Sequence, residues 1–252
     1  MTVSSHHDLP RSADVRHPRK VLLHGLRPAA RALVRRRFDV RVHDEHHTPA
    51  AGPVIFACNH IGVADGPLLA IFAPRPVHAL TKREMFDGKL GGFLRASGQI
   101  PLDRFTTDPA AVKSCLRVLR DGSAVGIFPE GRRGPGDLER FHRGAAYFAL
   151  ASGAPVVPVV MFGTREPGGH TGSLPPRGGV VDIVFGAPHR VEATPWPRRR
   201  EQVEQATLLL QQQMLAHLNH ARALTGRELP GPLPANEVEP DPAPGVTEQG
   251  AS

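Results

Sequence analysis

An α/β fold, with a layered, mostly parallel central sheet flanked by helices, is predicted for this chain of 252 residues by three observations. Short apolar runs of strand length alternate with stretches of helical period along most of the chain. Several of those runs are continuous, as expected of buried strands. Polar clusters follow directly on the runs, and the carboxyl ends of parallel strands are where such a fold carries its functional groups.

The first 18 residues are polar and mixed, and are expected to be flexible. Residues 19–37 predict a basic helix, with Leu22, Leu26, Ala29, Ala30 and Leu33 at helical spacing and Arg27, Arg31, Arg35, Arg36 and Arg37 around them. Pro28 ends a first short turn and starts the longer piece. This helix is either an in-plane anchor on anionic lipid or a basic surface helix packed on the domain. Val40 and Val42 alternate with polar neighbours as a strand. Val54 to Cys58 is a buried strand running into Asn59-His60. Residues 65–73 are helical, Val77 to Leu80 and Ile100 to Leu102 are strands, and Asp108-Pro109 caps a helix whose face is Val112, Cys115, Leu116 and Leu119. Ala124 to Phe128 is a strand, 143–152 a helix stopped at Gly153, Val156 to Phe162 and Val180 to Phe185 strands, and 198–224 a long helix with Val203, Thr207, Leu210, Met214 and Leu218 on one face. The domain therefore spans 19–226. Residues 227–252, rich in Pro, Glu, Gly and Ala without apolar period, are expected to be disordered.

Composition bounds the function. Hydrophobic residues make up 40%, enough for a sizeable core, yet no apolar run approaches the roughly 20 residues that span a bilayer. No secretory signal is visible, so the chain is expected on the cytosolic side. The net charge of +7 favours polyanions, whether nucleic acid, anionic membrane or phosphorylated substrate. Aromatic content of 5% argues against a base-stacking surface, so no nucleic-acid partner is expected. Cys58 and Cys115 are too few and too far apart for a disulfide framework and read as small buried residues. Of the 14 histidines, the His43, His46 and His47 group lacks a metal-site framework, and no metal is expected.

Three clusters carry chemistry. In Asn59-His60-Ile61-Gly62-Val63-Ala64-Asp65, a His and an Asp five apart do not share a helix face, because five residues advance about 500°. They meet only across a tight turn at a helix start, where Gly62 helps. Such a carboxylate holds the imidazole in one tautomer and makes it more basic, and the pair can deprotonate an attacking hydroxyl. Alternatively Asp65 caps the helix and His60 is a packed loop residue. In Gly98-Gln99-Ile100-Pro101-Leu102-Asp103-Arg104, a strand delivers a guanidinium that either binds phosphate or pairs with Asp103. In Phe128-Pro129-Glu130-Gly131-Arg132-Arg133, a tight turn presents Arg133 for an anion, with Glu130 free to bind a hydroxyl or orient an arginine. A fourth element, Ala154 to Val159, either lines an acyl site or is a core strand.

NHxxxxD, GxxxxDR, FPEGxR and a VVPV strand, in that order over about residues 50–190, resemble the phospholipid/glycerol acyltransferase family, which includes the 1-acylglycerol-3-phosphate acyltransferases. The resemblance implies that His60 is the general base and Asp65 its partner. It implies that Asn59, Gly98, Asp103, Arg104, Glu130, Gly131, Arg132 and Arg133 form the binding site for the acceptor's phosphate and glycerol. It also implies no cofactor and no metal, with acyl-CoA or acyl-carrier-protein as co-substrate. The partners expected are a lysophospholipid, the acyl thioester, an anionic membrane surface and an acyl carrier protein, with peripheral attachment to the membrane's inner face. The sequence departs from the family at Gly62, where a small hydroxyl residue is usual, and at Arg132, where Thr or Ser is usual.

Overall fold

The computed structural model describes residues 10–237, apart from the side chains of Val21 and Leu23. Seven strands form one sheet: β1 (Asp39–His43), β2 (Val54–Cys58), β3 (Val77–Lys82), β4 (Ile100–Leu102), β5 (Ala124–Ile127), β6 (Val156–Phe162) and β7 (Val180–Phe185), in the order β1-β7-β6-β2-β5-β3-β4. Every pairing is parallel except the antiparallel β6–β7. The parallel α/β sheet predicted is the one found. β2, β5 and β6 are buried along their whole length, because helices cover both faces.

The helices are α1 (Val21–Gly25), α2 (Arg27–Arg37), α3 (Asp65–Phe72), α4 (Glu84–Asp87), α5 (Gly91–Ala96), α6 (Pro109–Arg120), α7 (Gly144–Ser152) and α8 (Arg200–Thr225). Strand residues alternate between two cores. Ile55, Ala57 and Val125 pack with Leu119 of α6, Phe148 of α7 and Leu210 and Met214 of α8. Phe56, Cys58 and Met161 pack on the opposite side with Leu68, Leu69 and Phe72 of α3. Asp108 caps α6 as predicted, accepting from the Ala111 amide at 3.0 Å.

The basic segment is two helices meeting at Leu26, with Pro28 in the first turn of α2. Its arginines dock it to the domain. Arg27 and Arg31 donate to the carbonyls that end α3, Arg31 Nε reaching Ile71 O at 2.8 Å, and Arg35 lies 5.3 Å from the Phe72 ring. The packed surface helix expected as one alternative is therefore present, while Leu33 stays 68% exposed.

Parts of both segments expected to be loose lie against the domain where they are described. Ser12 is buried, Ala13 O accepts from Arg117, and the His17 ring packs edge-on to His78 at 5.1 Å. At the other end, residues 227–237 lie on the domain: Arg227 Nε donates to Asp182 at 3.1 Å, and Glu237 accepts from the Thr171 hydroxyl at 2.9 Å. Irregular backbone pinned by polar side chains needs no apolar period. Residues 1–9 and 238–252 lie outside the described residues.

Candidate active site

β2 delivers the first cluster. Asn59 continues the line of the strand and clamps it to β6, donating through Nδ2 to Met161 O at 3.1 Å and accepting from Met161 N at 2.8 Å. The chain then turns, so that Asp65, the first residue of α3, points back at His60. Asp65 Oδ2 lies 2.7 Å from His60 Nδ1 and accepts from the amides of Ile61 at 2.7 Å and Gly62 at 2.9 Å. Oδ1 accepts from the Thr164 hydroxyl. With Nδ1–H donated to the carboxylate, Nε2 is left as the basic nitrogen. Asp65 is fully buried, while the His60 side chain is 17% exposed and stacks on Phe128 at 4.3 Å. Gly62 has a local reason: a Cβ there would stand 2.9 Å from Thr164 O.

Glu130 lies beneath this turn. It is buried, its Oε1 accepts from the His60 amide at 2.7 Å, and burial holds its carboxyl well above the usual carboxylate range. The amides of His60, Ile61 and Gly62 are thus all committed to the side-chain oxygens of Glu130 and Asp65.

His60 opens onto an apolar groove of about 830 Å³ between α1–α2, α3, the end of β3 and α4–α5. Leu33, Leu90 and Phe93 stand exposed on its lips at 68%, 57% and 54%. Besides Arg27, which is tied to the Ala73 carbonyl at the end of α3, two cations share its wall. One is Arg133, which donates to Thr171 O at 3.0 Å. The other is Lys82 at the end of β3, whose pKa is brought down to about 8 by burial and by the neighbouring Arg104 and Arg133. Arg104 donates to Gly131 O at 3.1 Å, which ties the second and third clusters together.

Of the predicted site residues, His60 and Asp65 meet as expected, and His60 and Arg133 line the groove. Among the described residues the others hold backbone or lie outside its lining. Gly98 and Gly131 both sit at φ +71°, and a Cβ would strike Arg19 O in one and the His142 ring in the other. Asp103 closes its own turn by accepting from the Phe105 amide at 2.8 Å, and does not pair with Arg104 in that bond. Arg132 is half-buried in the third loop. Ala154 to Val159 is core, away from the groove. Cys58 is fully buried, with its thiol pushed up by that burial, and does not reach the groove. No group of His, Cys, Asp or Glu among the described residues is arranged to hold a metal ion.

Sequence reasoning passed over Lys82, Thr164 and Arg165. All three stand at or just beyond the carboxyl ends of β3 and β6, the same position that marked His60, so the signal was available.

A family model described as Acyltransferase matches residues 39–162, the stretch from β1 through β6. The 1-acyl-sn-glycerol-3-phosphate acyltransferase of Bacillus subtilis (strain 168) is 33% identical over 137 residues, covering 54% of this chain and 68% of that protein. The chain belongs to the acyltransferase family. The human 1-acyl-sn-glycerol-3-phosphate acyltransferase beta is 34% identical over 129 residues, 49% of this chain and 46% of its own length. The crystal structure of the 1-acyl-sn-glycerophosphate acyltransferase PlsC from Thermotoga maritima superposes with a TM-score of 0.58 at 20% identity, over 82% of this chain and 81% of that one. This last likeness is one of fold. Within the acyltransferase family, the matched stretch contains the His60–Asp65 pair and all three loops at the groove.

Proposed function

We propose that this acyltransferase moves a fatty acyl group from the thioester of acyl-CoA or acyl-carrier-protein to the free hydroxyl of a lysophospholipid, with 1-acyl-sn-glycerol 3-phosphate as the first acceptor to test. The observation that carries the reading is a carboxylate-held imidazole opening into an apolar groove whose wall also holds Arg133 and Lys82. Acyl chains need the apolar wall, and the acceptor phosphate needs the cations. The names of the curated relatives point to the same acceptor.

In the proposed mechanism the phosphate docks at Arg133 and Lys82, with Arg104 behind them, and brings the hydroxyl beside His60 Nε2. His60 takes the hydroxyl proton as the oxygen attacks the thioester carbonyl. Asp65 stabilises the imidazolium that forms. The tetrahedral intermediate collapses, the C–S bond breaks, and the thiolate leaves with the proton from His60. The products are 1,2-diacyl-sn-glycerol 3-phosphate and the free thiol. Oxyanion donors lie elsewhere than in the amides of residues 60–62, which are already engaged. The exposed apolar lips and the exposed Arg36 and Arg37 at the end of α2 suit attachment to an anionic membrane surface.

The test is thiol release from palmitoyl-CoA and from a palmitoyl carrier protein, with and without lysophosphatidic acid, in wild type and His60→Ala. Acceptor-dependent release that disappears in the folded variant is expected. Release that survives in His60→Ala, or that never depends on an acceptor, overturns the reading.

A further inference from the structure

Among the described residues, Arg165 is the largest fully buried side chain, 1% exposed. A buried guanidinium with several donors must satisfy them internally, and each one left bare is destabilising. Arg165 does so by gathering four separate segments. Its Nε donates to Ile61 O at 2.7 Å, in the turn that carries His60. Its Nη2 donates to Gly134 O at 3.0 Å, next to Arg133, and to Gly231 O at 2.7 Å in the segment after α8. Its Nη1 reaches Gly169 O at 3.3 Å, in the loop after β6. The first two loops also touch directly, the Gly134 amide donating to His60 O at 2.9 Å. One planar group therefore bonds to the residue after His60 and to the residue after Arg133.

We propose that Arg165 is a specificity-determining positioning residue: it fixes the separation between His60 and Arg133, and through it which hydroxyl of the acceptor, counted in carbons from the phosphate, is acylated. This rests on the reading that Arg133 receives the acceptor phosphate and His60 its hydroxyl. The rigid fork of an arginine holds two backbone segments at one spacing. A lysine, as a point charge on a flexible stem, does not. The two glycerol hydroxyls differ by one carbon in their distance from the phosphate. Because a displacement of about 1 Å at a reacting centre is worth as much as ~10²-fold in rate, a fixed spacing discriminates between them.

The test uses the full chain with two non-migrating acceptors, 1-O-alkyl-glycerol 3-phosphate and its 2-O-alkyl isomer, and palmitoyl-CoA as donor. Thiol release gives kcat/KM for each acceptor in wild type, Arg165→Lys and Arg165→Gln, with thermal melting as the check on folding. Wild type is expected to favour one isomer by about tenfold or more, and the folded variants to bring that ratio within about threefold of unity. Should neither variant fold, Gly62→Ala presses on Thr164 O from the facing turn and is expected to erode the same ratio. A ratio unchanged in the folded variants, or both acceptors losing rate in equal proportion, overturns the proposal. A wild type that uses both isomers equally overturns it too, while leaving the acyltransferase reading intact. A wild type that uses neither acceptor overturns both.

Discussion

Replacing Asp65 by asparagine keeps the shape of the side chain and removes its charge. The asparagine oxygen takes the place of Oδ2, accepting from His60 Nδ1 and the amides of Ile61 and Gly62. Its NH₂ faces Thr164, whose hydroxyl can turn to accept. The turn should therefore survive, with the melting temperature close to wild type. What is lost is the attraction between carboxylate and imidazolium. At about 4 Å between charge centres and an effective dielectric of ~20, that is ~4 kcal/mol. Because the imidazolium exists only as the hydroxyl is deprotonated, the loss falls on the transition state and amounts to ~10³-fold in kcat. The assay is steady-state thiol release with acceptor saturating, alongside thermal melting. Asp65→Ala is the contrast: it leaves the same amides and hydroxyl without an acceptor and should disrupt the turn itself. A well-folded Asp65→Asn enzyme retaining kcat within threefold would remove Asp65 from the mechanism.

Thr164→Val removes one donor to Asp65 at nearly constant volume. It should lower kcat roughly tenfold without changing acceptor KM, with Thr164→Ser near wild type; wild-type kcat in the valine variant would make that hydroxyl incidental. Lys82, at about 8, is charged in the free site below that pH and neutral above it. Acceptor KM should therefore climb above pH 8 in wild type and stay flat in Lys82→Arg, compared where the acceptor phosphate is already dianionic; parallel profiles would dissociate Lys82 from the phosphate. Burial brings His78 from 6.5 down to about 4, and its Nδ1 lies 2.7 Å from Gly98 O. The folded state then binds fewer protons than the unfolded one between those values. Stability is full above pH 6.5 and falls as the pH drops toward 4, by at most about 3 kcal/mol. Urea midpoints of wild type and His78→Gln at pH 7 and 5 measure this, and equal pH slopes would refute it.

The fold was legible because its signals are local. Val54 to Cys58, Ala124 to Phe128 and Val156 to Phe162 each announce a buried strand from their own composition, and Asp108-Pro109 announces a helix start. The His60–Asp65 meeting was legible for a similar reason, since a five-residue spacing excludes a helix and leaves a turn. The division of labour inside the motifs was not. Glu130 and Arg133 sit three apart in one loop, yet one supports the His60 amide from within and the other lines the groove. Which way each points depends on what packs beneath the loop. Arg165 was illegible for a stronger reason, because its partners at 61, 134, 169 and 231 come together only in the folded chain. The contacts of residues 227–237 were illegible too, because they join Gly231, Glu237 and Arg227 to residues far away in the sequence rather than following a pattern of their own.

α3 begins at Asp65 and ends at Phe72, where the arginines of α2 seize the carbonyls of residues 71–73. An eight-residue helix of this kind is a strut about 12 Å long. Its near end is the carboxylate that aims His60, and its far end is bolted to the basic helix through backbone atoms that every residue type possesses. Substitutions along α3 can change what it packs against without altering its length. The distance between the basic helix and the His60 ring is therefore set by a count of residues in α3, and it stays the same whatever the basic helix itself comes to touch.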